Sequence, residues 1–588
     1  MRRVLLAVLA AGCAARAQPG PRPSLVTTAE QSGFVRTGRH AEAVQLCEDF
    51  GRAYPDRARC ERFGVSLEGR ALVALIVSAD GTLTPEAAAA RRRPVILVEG
   101  GIHAGEIEGK DAGFLFARDL LDGKVAPGAL AAVTFVFVPI LNVDGHERFG
   151  PNQRPNQRGP EEGGFRTTAA NLNANRDWMK VDTEVVAALL GLWRRWDPVL
   201  FADLHATDGA KFEHDIAVML SPRARRDEPL GQAAAALSDA LQARLTALGH
   251  LPLPFYPSFD QEDDPMSGVT DGEAPPRFST GYTGARDRIG ILVETHSWRT
   301  YPERVRSTYD FLQALFERAV RDAAAWRAAA DTADATSAAL GGREVTLAWK
   351  ATDVARTFAF RGYAYERVPS EVSGGTWTRY DETRPAVWNL PLRDQIVPAI
   401  TVRAPRGGYL VPAGFAAAVA ARLDAHALRY QRLVAPLTVD GEVFRATKVE
   451  HTPPFEGRAR VTVTGAWTAE PVEVGPGALW IPIAQPRARL LLHLLEPTLP
   501  DSLCAWGFFS AAFEQKEYME PYVAEEEARR MLADPAVKAA FEAALADPEL
   551  AKSPEQRLDF FYRRHPSWDR RKDVVPVYRV ETDPFAPR

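Results

Sequence analysis

Four short apolar runs constrain this chain more than any other feature: PVILVE (94–99), VTFVFVPI (133–140), VLFADLH (199–205) and IGILVE (289–294). Each has strand length and is apolar at successive positions, which requires burial on both faces rather than on one. Between and after them, 106–121, 183–196, 229–248 and 301–330 carry apolar residues at helical spacing; in 106–121 these are Ala112, Leu115, Phe116 and Leu120. Together with a further apolar run at 71–78, the alternation predicts an α/β fold, a mixed, mostly parallel central sheet flanked by helices on both faces. Two polar loops rich in Gly and Pro, 142–177 and 251–284, interrupt the pattern, and loops of such length in a compact domain usually carry function.

The 588 residues exceed one domain. Small residues collect in DTADATSAALGG (331–342), which places a boundary there. Residues 18–335 read as a catalytic domain and 343–588 as a β-rich C-terminal region with some helices, at 413–433 and 524–550. The first 17 residues combine Arg2 and Arg3, a short apolar stretch and Ala15-Arg16-Ala17, the pattern of a signal peptide. Secretion or release to a periplasm is therefore expected, with lipid attachment at Cys13 the less favoured course. No later segment is apolar for long enough to span a bilayer. A net charge of −5 without a basic cluster gives no footprint for nucleic acid. Export permits disulfides; Cys47 and Cys60 either pair or stay as buried thiols, and Cys504 is odd in number.

Chemistry gathers where the strands end. In open α/β sheets ligands bind beyond the carboxyl ends of the strands. His103 and Glu106 follow the run 94–99, His205 closes 199–205, and Glu294 closes 289–294. Two His and one Glu form an attested ligand set for a catalytic zinc with one open position. A further carboxylate could move the proton of water, a role open to Glu294.

Four motifs then occur in a fixed order: HAGE (103–106), NANRDW (173–178), DLHATDG (203–209) and ILVETHSW (291–298). Over about residues 71–330 the chain resembles the zinc carboxypeptidases, the M14 or funnelin family, and is most similar to secreted bacterial members with a C-terminal extension. The resemblance implies Zn²⁺ on His103, Glu106 and His205, with Glu294 as general base and acid. It implies that Asn175 and Arg176 hold the terminal carboxylate of a peptide, Arg offering a planar fork for it. It also implies an oxyanion-stabilising arginine, Arg154 or, second, Arg158, and a substrate-contacting tyrosine in a mobile loop, matched best by Tyr282. The partners so implied are peptide or protein C-termini.

Two positions depart from the family. Asn173 stands where an aspartate commonly supports a zinc histidine, and Gly105 stands where the pancreatic enzymes have arginine. Competing expectations keep the fold and change the use: a zinc amidohydrolase acting on N-acyl amino acids or cell-wall peptides, or a non-catalytic binding protein. His146, His214, His250 and His296 are expected to be structural, and a solvated or supporting role is expected of Glu99, Glu108 and Asp208. The preferred side chain, the role of the C-terminal region and the oligomeric state are left open by the residues.

Overall fold

The computed structural model describes residues 23–207, 209–262 and 264–585, so the expected signal peptide and Asp208 lie outside the described residues. Its main sheet contains β1 (Ala58–Val65), β2 (Ala71–Val77), β3 (Val95–Gly100), β4 (Thr134–Val138), β5 (Leu200–Thr207), β6 (Ile216–Ser221) and β7 (Pro252–Leu253). The two-residue β8 (Val269–Thr270) joins another sheet, and β9 (Ile289–His296) completes this one in the order β1-β2-β4-β3-β5-β9-β6-β7. The pairs β4/β3, β3/β5, β5/β9 and β6/β7 are parallel, the other three antiparallel, which is the mixed, mostly parallel α/β sheet expected.

All four central parallel strands are buried almost throughout, as continuous apolar runs demand. The helix Glu108–Leu121 and the helix Pro229–Ala247 both pack on the long helix Tyr301–Ala338 beside the sheet. That long helix continues eight residues past the expected 330, because tertiary contacts hold the last two turns: Ala333 and Ser337 are buried and Asp334 accepts from Arg288. Cys47, in the helix His40–Ala53, is bonded to Cys60 in β1, and Cys504 is a buried free thiol. Among the described residues no helix is long and apolar enough to cross a membrane.

Beyond residue 340 the chain is β-rich. Two long hairpins dominate, Arg356–Pro369 with Thr376–Arg393 and Leu437–His451 with Val461–Val474. The same apolar core that includes the central sheet continues into this region through Leu340, Val345, Tyr409, Leu490 and Val575. The single helix expected at 524–550 is three: Pro521–Met531, Pro535–Ala544 and Pro548–Lys552. Proline at 535 and 548 cannot continue the preceding helix, and Asp534 and Asp547 instead cap the next one through their carboxylates. The helix expected at 413–433 stops at Ala425, where Ala427 turns left-handed at φ 55°.

Candidate metal centre and cleft

Strand register brings the expected residues together. β3 and β5 run in parallel so that Gly100 sits beside Leu204, and β5 places His205 directly opposite Glu294 of β9. After β3 the chain turns through His103 to Glu106 before the helix begins at Glu108. Gly105 is required there: a Cβ would lie 2.3 Å from the Gly164 carbonyl oxygen and 2.4 Å from Arg154 Cγ, because the 142–177 loop crosses over it. An arginine at this position has no room.

His103, Glu106 and His205 each offer a ligand atom, all within 4.8 Å of one another, and all three side chains are buried. The donor chemistry fits a divalent ion of the zinc type. His103 Nε2 lies 3.0 Å from Asn173 Oδ1, which holds the N–H on that side and leaves Nδ1 to face Glu106 at 3.1 Å. His205 Nδ1 faces Glu106 Oε2 at 2.9 Å, and its Nε2 is 2.8 Å from Asp203 Oδ2, too oblique for a good hydrogen bond but close enough for strong attraction. Burial opposes a charge on His103 and lowers its pKa to about 4, so the ring is neutral and free to ligate at neutral pH. Burial also disfavours the Glu106 carboxylate, yet His103 and Arg154 hold it well below the usual range.

Glu294 is nine-tenths buried and its Oε2 has no hydrogen-bond partner among the described residues. Burial pushes its carboxyl up to about 8, against the pull of His205 and with the push of Glu106. A cleft of about 480 Å³ opens over His103, His205 and Glu294, and is lined further by Arg166, Asn175 and Arg176. Asn175 Oδ1 accepts from the Ser279 N–H at 3.0 Å, which fixes the side chain in the wall. Arg176 stacks on Phe278 at 4.2 Å; burial and the neighbouring Arg166 and Arg277 lower its pKa, the signature of a positive cluster.

Three expected roles do not fit the places where the side chains lie. Arg154 donates to Glu106 Oε1 at 2.7 Å but faces a separate depression, away from the cleft. Arg158 turns outward to Glu382 at 2.5 Å. Arg166 is the arginine of this loop that lines the cleft, with Nη1 3.3 Å from Glu106 Oε1. Tyr282 is in the helix Ser279–Ala285 and fully buried; its hydroxyl meets His426 Nδ1 at 3.0 Å and accepts from Arg286 at 3.1 Å. A phenol so desolvated and bonded does not reach a substrate. Tyr256, in the 251–284 loop, lines the cleft instead.

Four other histidines make contacts within the fold. His146 contacts the Ala104 carbonyl, His214 the Leu251 carbonyl, His250 lies between Asp215 and Asp310, and His296 stacks on Phe212. Glu108 accepts from Thr295 at 2.7 Å. Glu99 is more than a solvated acid: it lies fully buried beside Asp203 in register, and burial, with Asp203, raises its pKa well above the usual range. Asp203 had a readable signal, since residues two apart on a strand share a face and it stands two before His205.

The structure thus joins an α/β sheet, a His-Glu-His cluster at its strand ends, a buried glutamate beside it and an arginine-lined cleft. In sequence, residues 43–239 match the family model described as zinc carboxypeptidase. The match includes all three candidate ligands and ends before Glu294. No curated protein matches the chain. Among solved structures, a metallo-carboxypeptidase from Burkholderia cenocepacia is 17% identical over 47% of this chain and 67% of its own, with TM-score 0.35. Carboxypeptidase A from Helicoverpa armigera is 14% identical over 50% and 74%, with TM-score 0.35. Bovine thrombin-activatable fibrinolysis inhibitor is 13% identical over 50% and 99%, with TM-score 0.36.

Proposed function

We propose that this protein is a secreted zinc metallocarboxypeptidase that removes the C-terminal residue of peptides, with 18–335 as its catalytic part. The observation that carries the reading is the placing of Glu294 opposite His205, beside the three-ligand cluster and at the mouth of an arginine-lined cleft. The Cys47–Cys60 disulfide supports an oxidising compartment.

His103, Glu106 and His205 would hold the metal. When bound, zinc supplies Lewis-acid polarisation of the scissile carbonyl. Arg176, with Asn175 beside it, holds the substrate's terminal carboxylate and so fixes which bond lies at the cluster. Glu294 takes a proton from the attacking water and returns it to the leaving amine. Arg166 faces the developing negative charge on the carbonyl oxygen.

The test measures zinc content and release of C-terminal residues from a mixed peptide set, for the parent protein and Glu294→Gln. About one zinc per chain in both, and a loss of roughly 10²–10⁴-fold in turnover for the variant, is expected. Unchanged hydrolysis by Glu294→Gln would remove the proposed base. Turnover of N-acyl amino acids with no peptide release would replace the peptidase reading with an amidohydrolase one.

A further inference from the structure

The cleft continues below the metal cluster, and its wall is ordered along two neighbouring strands. β6 and β9 are antiparallel with Ala217 opposite Glu294, Met219 opposite Leu292 and Ser221 opposite Gly290. Residues two apart share a face, so the wall descends from Glu294 through the apolar pair Leu292 and Met219 to Ser221. Met219, Ser221, Leu292 and Glu294 all line the cleft. Four residues of strand separate the level of Glu294 from that of Ser221, roughly 13 Å.

A carboxylate closes this lower end. Glu273, also in the cleft wall, accepts from the Ser221 hydroxyl at 2.9 Å, from the Arg223 N–H at 3.0 Å and from the Ala224 N–H at 2.9 Å. Those three donors fix the group without neutralising it. The Arg223 guanidinium goes elsewhere, to Asp271 and to the Asp394 carbonyl oxygen. Among the described residues no cationic side chain bonds Glu273, and each of its oxygens keeps acceptor capacity. Burial raises its pKa against the pull of the Arg223 guanidinium, which Asp271 already engages, so two carboxylates share one guanidinium at this end.

An apolar channel ending in a fixed carboxylate that shares its one nearby guanidinium with Asp271 matches a side chain with a long aliphatic stem and a cationic head. Resting on the peptidase reading above, we propose that Glu273 determines specificity and that the C-terminal residue released is lysine or arginine. The stem would lie between Leu292 and Met219 and the head would meet Glu273. A short or purely apolar side chain leaves that carboxylate with only this shared guanidinium in a desolvated place, and sites built to bond a polar group reject substrates that lack it.

The experiment compares kcat/KM of the zinc-loaded full chain on matched N-acyl dipeptides ending in Lys, Arg, Phe and Leu, then repeats it with Glu273→Gln and Glu273→Asp. The parent is expected to favour Lys and Arg by about a hundredfold or more. Glu273→Gln should lose that preference, kcat/KM on Lys and Arg falling far more than on Phe and Leu. Glu273→Asp, one methylene shorter, should favour Arg over Lys more than the parent does. Release led by Phe or Leu, or an equal loss on all four substrates in Glu273→Gln, overturns this inference and leaves the peptidase reading standing. No release from any of the four by protein shown to hold zinc overturns both.

Discussion

Asn173 offers the sharpest perturbation of the metal centre, because it touches a ligand without being one. Its Oδ1 accepts twice, from His103 Nε2 at 3.0 Å and from the Asn175 N–H at 3.0 Å. Replacing the amide by a carboxylate makes both bonds charge-assisted, and a bond to a charged group exceeds a neutral one by about 1 kcal/mol. The bond to His103 raises the basicity of Nδ1, so Asn173→Asp should tighten zinc binding by about tenfold, the equivalent of ~1.4 kcal/mol. His103 begins from a pKa of about 4, so the accompanying rise costs little in proton competition at pH 7.5. Asn173→Ala removes the acceptor and should weaken binding by about 10–100-fold. Competition with a chromogenic chelator at pH 7.5 reads both. A thermal melt checks the fold, since Glu456 accepts from the Asn173 N–H at 2.7 Å and would face the new charge. Equal zinc affinity in the parent, Asn173→Asp and Asn173→Ala would refute the idea that this contact orients the ligand.

Three further outcomes follow from other parts of the molecule. The Cys47–Cys60 bond closes a loop with a sequence separation of 13, so replacing both cysteines by serine should cost about 3 kcal/mol in urea unfolding of the oxidised protein. His250 is held between Asp215 and Asp310 and its pKa is raised to about 9, burial notwithstanding. Its stabilisation is therefore complete below pH ~6.5 and lost as pH rises through 9; after discounting for solvent screening, His250→Asn should remove about 1–2 kcal/mol at pH 6 and almost nothing at pH 9.5. Gly281→Ala puts a Cβ 2.3 Å from the carbonyl oxygens of Ala274 and Pro275, so the loop carrying Glu273 must shift; a loss of about 1–3 kcal/mol in stability, with a fall in peptide turnover, is expected.

The metal ligands were readable because they end or follow strands whose unbroken apolar character admits one role, the centre of a covered sheet. The same logic failed at β1, where ARCERFGV alternates polar and apolar residues at the sheet's edge and does not read as a buried strand. Arg166 was passed over because the course of the loop, not residue spacing, decides which of Arg154, Arg158 and Arg166 turns inward. Tyr282 was misplaced for a related reason: STGYTG reads as a loop, yet both glycines are helical and permit close approach to the 274–275 backbone and to Ser221. The breaks at Pro535 and Pro548 were open to reading, since an Asp-Pro pair marks a new helix start.

The C-terminal region bears directly on the site through the two loops that the sequence pattern leaves without a strand or helix. Its first hairpin meets them from one side: Glu382 pairs with Arg158 of the 142–177 loop, and Arg367 and Arg393 pair with Asp264 and Asp260 of the 251–284 loop. Its second hairpin meets the 142–177 loop from another side, where Glu456 accepts from the Asn173 backbone and Arg458 forms a two-pronged pair with Asp182 just beyond the loop. Loops this long would otherwise carry a large ordering cost. Single exposed ion pairs contribute little. Several of them anchored on rigid strands, together with a shared apolar core, restrict the loops to one arrangement. That arrangement is what holds Asn173 against His103, Asn175 and Arg176 in the cleft wall, and Glu273 beneath Leu292 and Met219. The extension thus braces, by ion pairs and hydrogen bonds, the two loops that line the cleft.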